Sequence, residues 1–137
     1  ASDGNRLTRN TAKDSEVGFL IGTAHKNVLT YNVATMNNSG FFVGGGTKNR
    51  LFHNIATQNE YKGFLVHCNA AETTLSKNEA HNNGEFGIVV WSDASHKIIG
   101  NTAINNTSFD LHASLPGCIS NVWKKNTYGT KDPDCIQ

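Results

Sequence analysis

Apolar residues in this chain follow neither a helical spacing nor one long run. They return as short triplets, each behind a glycine. Gly18, Gly40, Gly63 and Gly87 open Phe19-Leu20-Ile21, Phe41-Phe42-Val43, Phe64-Leu65-Val66 and Ile88-Val89-Val90. In the next unit Asp110 takes the glycine's place ahead of Leu111-His112-Ala113. Strand alternation sends the outer members of each triplet one way and the middle member the other. The pattern therefore predicts two inward columns, one running from Phe19 to Leu111 and one from Ile21 to Ala113. Leu20, Phe42, Leu65, Val89 and His112 form the column facing outward.

A second pattern keeps the same period. Asn10, Asn32, Asn54, Asn78, Asn101 and Asn126 are separated by 22, 22, 24, 23 and 25 residues. Three positions before each stands Leu7, Leu29, Leu51, Leu75, Ile98 or Trp123, and two positions after stands Ala12, Ala34, Ala56, Ala80, Ala103 or Tyr128. Residues 5–26 overlay residues 27–48 without a gap. Leucine-rich repeats share this period, but they need several leucines per unit and a helical return. Here each unit has one reliable leucine and turn residues at its corners. Three short strands per unit fit better, stacked at roughly 4.8 Å. The expected fold is all-β: a right-handed single-stranded parallel β-helix of about six coils of 22–25 residues. It is expected as a single domain over residues 1–137, with coils at about 5–26, 27–48, 49–72, 73–95 and 96–120 and a C-terminal cap at 121–137. The recurring Asn belongs at a corner, where stacked amides bond one another and the backbone.

The motif N-x-L-x-x-N-x-A followed by G-[FI]-x-[IV] resembles the β-helix repeats of pectate-lyase-like proteins. It is more similar still to the Asn-rich subset that includes copper-related periplasmic NosD-type proteins and many secreted bacterial proteins. The resemblance spans residues 5–129. It implies a fold rather than an activity, because this superfamily hosts lyases, hydrolases, epimerases, adhesins and structural modules.

Composition narrows the picture further. Twelve basic and eleven acidic residues leave a net charge of +1, which as a total offers no electrostatic case for nucleic acid or an anionic membrane. No apolar run approaches the roughly 18 residues of a membrane span. The polar start, Ala1-Ser2-Asp3-Gly4, suggests a mature or trimmed product. With no amphipathic cap before Asn5, a fragment of a longer protein or a covered first coil is expected. At the other end, Trp123 and Tyr128 enlarge the two core columns and should plug the coil. Cys118 and Cys135 bracket that plug, and a disulfide between them would contribute roughly 3 kcal/mol in loop-entropy terms. Such a bridge implies a secreted or periplasmic location. Cys68 is left over as an odd thiol.

Three surface features are candidates for function. One position before each anchor Asn stand Arg9, Tyr31, His53 and Lys77, with Glu79 nearby. Stacked on successive coils, they form a strip whose Arg and Lys suit uronate carboxylates. Its Tyr or His could move the proton α to a carboxylate, as uronate lyases and epimerases require. A solvated polar face is the plainer alternative. Leu20, Phe42, Leu65 and Val89 are the second feature, an apolar column for self-association or for a covering segment. The third is the set of sequons at Asn37, Asn105 and Asn106, which arise by chance in so Asn-rich a chain. No metal or cofactor is expected: the histidines lack ligand spacing, and Asp14, Asp93 and Asp110 fall in unrelated places. The leading expectation is a module that binds carbohydrate or another extended ligand, possible polysaccharide included. A lyase or epimerase and a self-assembling solenoid are the alternatives.

Overall fold

The computed structural model describes residues 2–137, with the side chains of residues 68 and 115–117 outside the description. The leftover thiol of Cys68 thus lies outside the described residues. The chain winds as a parallel β-solenoid with three sheets of six strands each. The first sheet stacks Arg6–Thr8, Val28–Thr30, Arg50–Phe52, Thr74–Ser76, Lys97–Ile99 and Val122–Lys124. The second stacks Thr11–Lys13, Val33–Thr35, Ile55–Thr57, Glu79–His81, Thr102–Ile104 and Thr127–Tyr128. The third stacks Val17–Ile21, Ser39–Thr47, Lys62–Ala71, Phe86–Val90, Phe109–Ala113 and Lys131–Asp132. Every pairing is parallel and joins equivalent positions of successive coils, such as Leu51 with Leu75 and Ala56 with Ala80.

The interior is the set of columns that the apolar periodicity announces. Leu29, Leu51, Leu75 and Ile98 are buried, as are Ala34, Ala56, Ala80 and Ala103. Phe19, Phe41 and Phe64 stack face to face with centroids 4.9 and 4.7 Å apart. Small residues draw the walls together at the glycine column. A Cβ on Gly63 would stand 2.6 Å from the Gly87 carbonyl oxygen and 2.9 Å from Asn83 Nδ2. Gly63→Ala is therefore expected to lower stability by about 1–3 kcal/mol in urea unfolding, the usual cost of overpacking. Gly22→Ala is the control, since nothing lies within 4 Å of its added methyl; equal losses for the two would refute the packing account.

Asparagine holds all three corners, not one. Beside the anchor ladder run Asn5, Asn27 and Asn49 at the corner before the first sheet, and Asn37, Asn59, Asn83 and Asn106 at the corner after the second. Asn54 shows the shared geometry. Its Oδ1 accepts the Asn32 backbone N–H at 2.9 Å and Asn32 Nδ2 at 3.0 Å. Its Nδ2 donates to the Leu29 carbonyl at 2.9 Å and to Asn78 Oδ1 at 3.1 Å. A buried amide so satisfied carries no desolvation debt. The residue before each corner Asn of these ladders turns in the left-handed region, as at Tyr31, Met36 and Lys48 with φ of 57°, 54° and 60°. That conformation costs roughly 1–2 kcal/mol for an L-residue, and the ladder bonds offset it.

Two ladders change residue type. In the first, Thr73 and His96 replace Asn, and His96 Nδ1 accepts the Thr73 N–H at 3.0 Å as an Asn Oδ1 would. The third ends on Asp110, whose Oδ1 accepts Asn106 N and Nδ2 at 3.0 and 2.7 Å. Its Oδ2 accepts the N–H groups of Gly129 and Thr130. Burial pushes the Asp110 carboxyl up, but the donors from Asn106, Thr130 and Gly129 outweigh it and hold the group below its ordinary value.

At the C-terminal end Trp123 stacks on Ile98 and Tyr128 on Ala103. Residues 122–132 thus lay strands on all three sheets before the chain folds back. Ile136, which no repeat announces, is completely buried against the last rung. A short helix, Leu115–Ser120, precedes this rung. The strand periodicity does not foresee it; it starts behind an extended Ser114, with proline in its first turn. Cys118 and Cys135 are disulfide-bonded with Cα atoms 6.0 Å apart, tying the helix to the final segment. At the first rung the interior is open, and Leu7, Phe19, Ile21 and Leu29 line a hollow of about 340 Å³. That hollow is the bore of the coil, with no convergent charged groups among its lining residues.

Candidate ligand-binding face

The corner between the first and second sheets carries Arg9, Tyr31, His53, Lys77, Gly100 and Lys125, all with positive φ between 54° and 67°. The left-handed turn points each side chain away from the coil while the Asn behind it points inward. Successive rungs then bring like positions within ring-stacking distance. Tyr31 and His53 stack with centroids 4.9 Å apart and planes 7° from parallel. The Arg9 guanidinium lies 5.6 Å from the Tyr31 ring centre. Phe52 meets His53 edge-on at 6.0 Å, and Arg50 sits 5.6 Å over Phe52. Below this stack Tyr31, His53, Asn54, Ile55, Lys77 and Glu79 line a depression of about 180 Å³. Glu79 faces it from the second sheet and also contacts His81, Oε2 to Nε2, at 3.1 Å. The four residues singled out by column position thus lie along one face with Glu79, and His81 and Phe52 adjoin it.

Flat rings, two kinds of cation and one carboxylate can hold hydroxyl and carboxylate groups. A proton-transfer site would also need a group that orients the base. Among the described residues no side chain hydrogen-bonds the His53 ring or the Tyr31 hydroxyl.

The apolar column differs from its expectation. Leu20 is 63% exposed, but Leu65 is 8% exposed and Val89 fully buried, with Phe42 between these extremes. Neighbouring columns on the same sheet close over it. Lys62 Nζ spans them, lying 5.9 Å from the Phe86 ring and 5.4 Å from Trp91. Phe42, His67 and Trp91 meet edge to face, and Phe86 stacks on His112 at 4.9 Å. Glu85 anchors Lys62 at 2.7 Å. The four residues therefore form no continuous exposed patch. Sequence spacing identifies the column but does not show that most of it would be buried.

Residues 1–129 match the family model described as periplasmic copper-binding protein (NosD). No curated protein and no solved structure is significantly similar to the chain. Copper would need converging imidazole, thiolate or thioether donors. Among the described residues no three His, Cys, Asp or Glu side chains converge. His81 pairs with Glu79 and His112 with Asp132, Cys118 and Cys135 are joined, and the one methionine, Met36, stands at a different corner. The described residues do not fit a copper centre. Among the described residues no helix is long and apolar enough to cross a membrane.

Proposed function

The chain belongs to the periplasmic NosD family of β-solenoid proteins, and from that premise we propose that it is an extracytoplasmic module binding an extended carbohydrate along the Arg9–Tyr31–His53–Lys77 strip. One observation carries this reading: side chains from four consecutive rungs form a continuous cation–ring–ring–cation series above a shallow depression. A solenoid surface has no deep cleft, so its affinity comes from repeated weak contacts along a linear ligand. Sugar rings suit it, since their C–H faces lie on aromatic planes while their hydroxyls reach Lys77 and Glu79.

The test is calorimetric titration of wild type and Tyr31→Ala/His53→Ala with neutral and acidic oligosaccharides. The double variant removes the exposed Tyr31 ring and the half-buried His53 ring, neither part of the core, and is expected to weaken binding about tenfold or more, which is about 1.4 kcal/mol. Undiminished binding would dismiss the strip. The adjacency of Tyr31, His53 and Lys77 also favours a second reading, a uronate lyase or epimerase. Unsaturated products or altered uronate NMR signals after incubation with a uronan would establish it, and unchanged substrate would end it.

A further inference from the structure

The net charge of +1 conceals a segregation produced by the winding. On the outer face of the first sheet Arg6, Arg50 and Lys97 occupy one column at alternate rungs. Lys124 stands beside them on the last rung. The corner that follows adds Arg9, Lys77 and Lys125, and the corner that precedes adds Lys26 and Lys48. All are exposed. Nine of the twelve Lys and Arg residues therefore share one side of the solenoid. Four of the eleven acidic residues accompany them: Glu72, 3.9 Å from Lys48; Asp3, which accepts the His25 backbone N–H; Asp93, whose charge acts on His96 at the preceding corner; and Glu79, which lines the depression beside Lys77. The opposite corner is acidic. Glu16 and Glu60 share a column there, near Asp14 and Glu85.

A total near zero keeps the molecule from attracting anions at long range. Within a Debye length, about 8 Å at physiological salt, the basic side acts alone. Its geometry restricts the ligand. Cations two rungs apart in one column recur at about 9.6 Å along the axis, so the anion must be linear and run parallel to the solenoid. An extended polysaccharide with two-fold symmetry presents its acidic groups on one side at every second sugar, a repeat of similar length. The surface between the cations is rich in hydroxyls, from Thr8, Thr30, Thr74 and Ser76, with the first two 3.0 Å apart. Such groups pair with sugar hydroxyls.

We propose that the outer face of the first sheet binds a linear acidic glycan, with Arg6, Arg50 and Lys97 on its acidic groups and the Tyr31–His53 stack along its edge. This rests on the carbohydrate reading above and adds both the charge of the ligand and a set of residues outside the strip. The probe is alginate oligosaccharide, with neutral β-glucan oligosaccharide, duplex DNA and phosphatidylglycerol vesicles as comparisons. Wild type is expected to bind alginate, more weakly as salt rises. Arg6→Gln/Arg50→Gln/Lys97→Gln should weaken it at least about tenfold, through lost counterion release. Lys13→Gln, on the far side beside Asp14, should leave it unchanged. An unaltered urea midpoint shows that the triple variant is folded; should it not fold, Lys97→Gln and the wild-type salt dependence carry the test. Binding of the neutral glycan alone would overturn the proposal while leaving the carbohydrate reading intact. So would tighter binding of DNA or vesicles, equal alginate affinity in the triple variant, or no binding of alginate at all.

Discussion

Asn78→Ala is expected to cost about 3–5 kcal/mol, a large share of the stability of a small domain. The side chain is completely buried and takes part in four hydrogen bonds. Its Oδ1 accepts Asn54 N at 2.9 Å and Asn54 Nδ2 at 3.1 Å. Its Nδ2 donates to the Leu51 carbonyl at 2.9 Å and to Asn101 Oδ1 at 3.1 Å. Alanine strands the Asn54 N–H without an acceptor and the Leu51 carbonyl without its amide donor, and leaves the Asn54 amide only the Leu29 and Phe52 carbonyls, where water cannot reach. Each stranded buried group costs about 1–3 kcal/mol. The alanine also leaves Lys77 in its left-handed turn, at φ 54°, without the bonds that offset it. Asn10→Ala provides the internal scale. Asn10 stands at the exposed end of the same ladder and accepts from no earlier rung. Its loss should stay near or below about 1 kcal/mol. Urea unfolding of both variants checks the gradient. Equal losses would mean that the ladder stabilises by something other than buried satisfaction.

The second large effect is a loss of stability in acid. His96 is 1% exposed and its pKa is lowered to about 4, chiefly because burial penalises the charged ring. The Asp93 charge and the Ala70 and Thr73 backbone favour the cation but do not prevail. Protonating Nδ1 would also remove the acceptor of the Thr73 N–H. The unfolded chain, with an ordinary histidine pKa near 6.5, binds the proton first. Stability is thus fully present above about pH 6.5 and declines as pH falls towards 4, by about 3 kcal/mol in all. In His96→Asn the decline over this window should shrink, because asparagine supplies the ladder acceptor without titrating. Unfolding midpoints measured across the window decide the matter. A decline as steep in the variant would assign the acid sensitivity to other groups; the Asp110 carboxyl, held below its ordinary value, is expected to add its own loss only beneath this window.

Much of this architecture is legible because a solenoid repeats locally. The columns of Leu29, Ala34 and Phe41 recur at fixed spacing, so the register of each sheet follows from counting residues. The other two Asn ladders were legible by the same means: Asn27, Asn32 and Asn37 stand five apart, one per corner. His96 escapes that counting because it performs an asparagine's role with a ring nitrogen. Arg9, Tyr31, His53 and Lys77 could be aligned from their offsets, because equivalent positions on neighbouring rungs are neighbours in space. Segments without a period gave no such handle. The helix at Leu115–Ser120, the return of Ile136 into the core and the reach of Lys62 between the Phe86 and Trp91 rings all depend on contacts that the repeat does not encode.

The sequence by itself determined the parallel coil, its inward columns and the family, since each follows from side-chain type at a fixed period. Only the tertiary structure decided what the outside looks like. The long side chains there are free of the repeat and settle against whatever the winding sets beside them. Lys62 settled between the Phe86 and Trp91 rings, beside an apolar column that is largely buried. Nine cations spread along the chain came together on one face because three turns per coil return them to the same side. The near-neutral total holds no trace of that separation, because it sums charges that the winding places on opposite sides.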